Sequence, residues 1–220
     1  MLRRLTVSSL VVMFFIVAGV SSAHADNFSF TGNFTQDDNV QLFNFTVGSL
    51  STVTLRTFSY AGGTNSAGTV IARGGFDPIL ALFNATTGAL IDQNDDGSAV
   101  PTDITGVAFD TLLTTSLAAG NYTVAVMQFD NFAGANLSNG FGRQGQGNFT
   151  ASFDLRCAQG RFVDVSGSFP DNCRDSHWAF DILNVNSATQ VPPGVPEPAS
   201  LVLLGTGILT LGVVRFRNRK

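Results

Sequence analysis

Between its two ends the chain has no lysine. Of twelve basic residues, Arg3 and Arg4 precede the first apolar run and Arg215, Arg217, Arg219 and Lys220 follow the last, leaving six arginines in between. All sixteen acidic residues fall between Asp26 and Glu197, so that span carries a net charge of −10. Nucleic-acid binding takes its affinity from lysines and arginines that neutralise phosphates, so no nucleic acid is expected as a partner. Histidine and glutamate are nearly absent as well, limited to His24, His177 and Glu197. Catalysis needs a base or nucleophile with an orienting partner, and there is no nucleophile elbow, phosphate-binding loop or histidine-rich metal set. Paired aspartates could run glycoside hydrolysis, but the one aspartate cluster fits a metal better, and the chain is expected not to be an enzyme. Two cysteines, Cys157 and Cys173, make too small a set for zinc with His177 as the lone histidine beside them. In an oxidising compartment they are expected to form a disulfide.

What is present at the ends is targeting information. Residues 1–25 combine Arg3 and Arg4, an apolar run over 10–20, and the small-residue site Ala23-His24-Ala25. This is the layout of a secretory signal peptide cut by signal peptidase after Ala25, so the mature chain is expected to start at Asp26. At the other end, a proline-rich linker (191–198) leads into an apolar stretch (199–214) and then the basic residues to Lys220. Sixteen helical residues reach about 24 Å, a minimal transmembrane span against a hydrocarbon core of about 30 Å. The basic terminus should stay in the cytoplasm, which places the body outside.

Pro196-Glu197-Pro198, the glycine-containing apolar segment after it and the terminal arginine cluster together resemble the PEP-CTERM sorting signal. That resemblance implies recognition and removal of the tail by exosortase, a membrane enzyme of Gram-negative bacteria that make exopolysaccharide. Pro196, Glu197 and Pro198 would then be recognition residues in a substrate. The implied destination is the inner membrane in transit, then the cell surface or extracellular matrix.

Between 26 and 190 short alternating runs are separated by glycine and Asx turns. Phe43, Phe45 and Val47 alternate with Asn44 and Thr46, Tyr122, Val124 and Val126 with Thr123, Ala125 and Met127, and Trp178, Phe180 and Ile182 with Ala179, Asp181 and Leu183. No long helical period appears outside the ends, so the expected fold is an all-β sandwich of one domain. Stretches at 37–45, 76–83, 88–97 and 117–126 resemble the bacterial pre-peptidase C-terminal domain, which implies a jelly-roll-like β-sandwich. Residues 60–75 would be an insertion, and 131–186 an addition expected to contribute strands.

One segment carries chemistry. Asp92-Gln93-Asn94-Asp95-Asp96-Gly97 sets oxygen side chains at positions 1, 3 and 5 of a would-be calcium loop, glycine at 6 and Asp103 at 12. The flank reads as a strand rather than a helix, so an EF-hand is not expected. The pre-peptidase resemblance implies Asp77, Asp95 and Asp96 as Ca²⁺ ligands, with Asp110 beside them. The alternative is a solvated acidic hairpin with Asx turns and no ion. Two roles follow: a structural or adhesive matrix protein in which calcium bridges the acidic body to anionic exopolysaccharide, or a carbohydrate-binding module using aromatics of the 129–149 segment.

Overall fold

A computed structural model describes residues 24–192. Ala23, Pro196, Glu197, Pro198 and the 199–220 tail lie outside the described residues; Ala25 is exposed just ahead of the first strand. Among the described residues, no helix is long and apolar enough to cross a membrane.

The described chain is a sandwich of two antiparallel sheets. One holds β1 (Asp26–Asn33), β10 (His177–Val185), β3 (Ser51–Thr57) and β8 (Leu112–Leu117), in that order. The other runs β11 (Ser187–Gln190), β2 (Val40–Val47), β9 (Gly120–Gln128), β6 (Pro78–Asn84), β7 (Leu90–Asn94). A two-stranded hairpin of β4 (Gly63–Thr64) and β5 (Val70–Ile71) lies apart. Apart from the β6–β7 and β4–β5 hairpins the chain changes sheet at each connection, so consecutive strands mostly face each other across the sandwich.

Period-2 alternation decides which residues meet between the sheets. Phe43, Phe45 and Val47 of β2, Val53 and Leu55 of β3, and Phe180 and Ile182 of β10 form the main core with Leu80, Leu82, Val124 and Val126. Phe43 packs against both Phe180 and Trp178, ring centroids 5.1 and 5.6 Å apart. Gly32 stands opposite Trp178 in the ladder, where a Cβ would collide with the indole. β6 and β9 are buried on both faces, which is why they read as continuous apolar runs. Their outer face holds a second cluster of Ile79, Ala81, Phe83, Ala125 and Met127, covered by Phe129, Phe132, Leu137 and Phe141.

That covering segment bears on two expectations. Phe129, Phe132 and Phe141 are part-buried packing residues, with Phe129 and Phe132 edge to face at 5.9 Å, so only part of each ring is open to solvent. Of the added region 131–186, only β10 and the isolated bridge partners are β-structured; the rest is turns and short 3-10 helices. Its glycine- and asparagine-rich sequence favours turns over ladders.

Cys157 and Cys173 are joined as a disulfide. It closes a loop of 16 residues, a constraint worth about 3 kcal/mol in the chain-entropy account. Replacing both cysteines by serine is expected to lower the melting temperature by about 6–12 °C in calorimetry; an unchanged melting temperature would mean the loop is held by its other contacts alone.

Candidate metal centre

Three adjacent strand ends build the site. Asp77 immediately precedes β6, and the pairing of Leu80 with Asn94 brings the end of β7 alongside, so Asp95 and Asp96 leave the sheet next to Asp77. On the other flank β9 ends at Gln128, opposite Pro78, and the Phe129 amide donates to the Asp77 carbonyl at 2.9 Å. One carboxylate oxygen from each of Asp77, Asp95 and Asp96 lies within 4.8 Å of the others. That separation is about twice a calcium–oxygen distance, so one ion can touch all three.

The electrostatics of this corner are unrelieved. Asp77 is only 8% exposed, and Oδ1 of both Asp77 and Asp95 is buried without a hydrogen-bond partner. Gln128 Oε1, one strand away, is a third orphan acceptor. A buried acceptor without a donor is costly, and a buried carboxylate more so. Burial, then the fields of Asp95, Asp164, Asp96 and Asp110, push the Asp77 carboxyl well above the ordinary range. Asp95 is pushed up to about 6 by burial and by Asp96 and Asp130, and Asp96 is raised by burial and Asp164. The donors are all hard oxygens without histidine or cysteine, which suits calcium or magnesium rather than zinc.

Asp92, Asn94 and Asp110 have other engagements. Asp92 and Asn94 belong to β7, and an extended strand cannot wrap successive side chains around one ion as the 1-3-5 spacing demands. Asp92 is exposed and accepts from the Gln93 amide; Asn94 donates to the carbonyls of Asp96 and Leu112 and shapes the turn. Asp110 is fully buried, but its oxygens accept from the Thr57 hydroxyl and the amides of Tyr60 and Ala61, so it clasps a loop. Burial raises its carboxyl even against those bonds. Asp103, the position-12 residue, is held by Arg73 at 2.6 Å and Arg174 at 3.1 Å.

Asp164 was not legible in the sequence as part of this corner. It hangs on the disulfide-closed loop, its amide donating to the Asn172 carbonyl, and its carboxylate accepts from the Tyr60 hydroxyl at 2.5 Å. Tyr60 lies under the buried Arg174, whose guanidinium carbon is 3.5 Å from the ring centroid. Burial works against the charge of Asp103, but hydrogen bonds from Arg73, Thr105 and Arg174 outweigh it and hold that carboxyl well below the usual range. The result is a charged spine, Asp171–Arg73–Asp103–Arg174, beneath the loops that carry Asp164.

No curated protein and no solved structure matches the chain. The family model of the PEP-CTERM protein-sorting motif matches residues 194–220. That match marks the chain as an exported substrate of exosortase whose C-terminus is anchored in the membrane before processing.

Proposed function

We propose that this is a non-enzymatic, calcium-binding β-sandwich, cut by signal peptidase and exosortase and delivered to the surface or exopolysaccharide matrix of a Gram-negative bacterium, where it is structural or adhesive. The sorting match carries the export part of this reading. For calcium, the support is Asp77, a buried carboxylate with an unpartnered oxygen facing two further carboxylates. When bound, the cation would neutralise that corner, and Asp77, Asp95 and Asp96 would hold it. A body this acidic repels an anionic polysaccharide, and a bound cation offers a bridge between the two. His177 supports the non-enzymatic reading: the nitrogen opposite its Asp175 contact is turned onto the Ala72 carbonyl at 3.1 Å.

The test of sorting is direct. Glu197→Ala should leave uncut chain in the inner-membrane fraction, read by size on an immunoblot; normal processing of the variant would remove the motif from the account. A second reading, a carbohydrate-binding module, is favoured by a cleft of about 570 Å³ lined by Gln36, Asn39, Ser138, Gln144 and Phe141. Amides and a hydroxyl beside an aromatic ring suit a sugar. Glycan affinity that survives EDTA supports this second reading, and affinity lost with calcium supports the first.

A further inference from the structure

The two ends of the sandwich differ. At one, the connections are short turns at 48–50, 85–89, 118–119 and Asn186. At the other lie 34–39, 95–111 and the whole of 142–176, with the disulfide loop and the acidic corner. The chain leaves on this long-loop side. β11 runs beside β2, the Val191 amide donates to the Leu42 carbonyl at 2.9 Å, and Gln41 Nε2 donates to the Val191 carbonyl at 2.7 Å. Pro192 therefore stands by the start of β2, at the end where β9 finishes and β6 begins.

From Pro192 the apolar stretch of the sorting tail starts seven residues later, at Ala199. Seven residues reach at most about 25 Å. Before exosortase acts, the long-loop end is thus tethered close to the bilayer that holds the tail. Eight large apolar side chains are exposed among the described residues, and five of them, Ile104, Phe153, Leu155, Val165 and Phe169, sit on loops of this end. Leu155 is 87% exposed. Arg156 beside it lies 4.8 Å over the Phe169 ring while its guanidinium pairs with Asp154 at 2.6 Å, so its charge is locally balanced and the apolar side chains carry the contact. The short-turn end exposes Leu50. Single exposed apolar residues are ordinary, but five on one end held against a membrane are a docking surface.

We propose that, while the tail is inserted, the long-loop end rests on the phospholipid surface through Ile104, Phe153, Leu155, Val165 and Phe169. This rests on the reading of the tail as membrane-embedded. The mature chain from Asp26 through Lys220 is reconstituted into liposomes with brominated or plain phospholipid, as the parent, as Leu155→Trp and as Leu50→Trp. Trp178, buried in the core, is kept as the common background. Side chains at an interfacial depth of about 5–10 Å are within reach of the bromines, so Leu155→Trp should lose about half of its added emission in brominated lipid. Leu50→Trp should behave as the parent. Equal quenching of the two, or none at either in chain that stays with the liposomes through an alkaline wash, overturns the docking surface and leaves the embedded tail standing. Chain washed off the liposomes overturns both.

Discussion

Arg174→Ala should destabilise the domain by about 3–5 kcal/mol, the cost of breaking a buried charge pair and emptying a fully buried site. The Arg174 side chain is 1% exposed, covers the Tyr60 ring and donates to Asp103, which has no exposed side-chain surface. Arg73 still faces Asp103 in the variant, which places the loss toward the lower end of the range. Arg174→Met separates the two contributions: it restores the volume over Tyr60 without the charge and should recover part of the loss. The acid limb of stability carries the same signature. The Asp103 carboxyl is depressed in the folded state, so its contribution is present above the unfolded value of about 4 and is lost as pH falls below it. Weakening that depression should move acid unfolding of Arg174→Ala to higher pH. Denaturant melts of the three proteins at pH 7 and pH 3 check this; equal stability would show the spine to be a passenger.

Calcium should have an effect of similar size and the opposite sign. With free calcium at about a thousand times the dissociation constant, binding to the folded state alone adds about 4 kcal/mol, or about 8–16 °C in melting temperature. The pH dependence distinguishes a metal centre from a decorative acidic corner. In EDTA, Asp77 and Asp95 carry folded-state values raised above the unfolded one, so their contribution is full below about pH 4 and is lost as pH rises through about 6 for Asp95. The calcium-free domain should therefore lose stability between pH 4 and 6.5. Calcium, which takes the deprotonated carboxylates, should reverse that slope. Asp77→Asn removes a buried repelling charge: its stability in EDTA should equal or exceed the parent's, while its response to calcium disappears. A calcium-dependent rise that survives Asp77→Asn would place the ion elsewhere.

The sandwich was legible because its strands obey local rules. The alternation around Phe43, Tyr122 and Trp178 marks three strands that the structure contains as β2, β9 and β10. The acidic corner was legible in part. Asp95 and Asp96 stand in the 92–97 segment, but their joining to Asp77 depends on the β6–β7 register, which the 1-3-5 spacing does not encode; Asp77 entered only through the pre-peptidase resemblance. The spacing also named Asp92 and Asn94, which lie on the extended β7 rather than on a wrapped loop. Asp164 reaches the corner through a disulfide and a tyrosine more than a hundred residues distant in sequence, a contact no local pattern records. Asp110 shows the reverse: a carboxylate near the corner whose acceptors are filled by loop amides, a structural role invisible until the loop is folded.

Export and tail removal are tested together by the intact mass of the protein taken from the surface of its producing cell. The expected species begins at Asp26, ends near Pro196-Glu197-Pro198 and is two hydrogens light for the Cys157–Cys173 bond. A mass that retains the chain through Lys220 would contradict exosortase processing and leave a protein anchored by its own C-terminal segment.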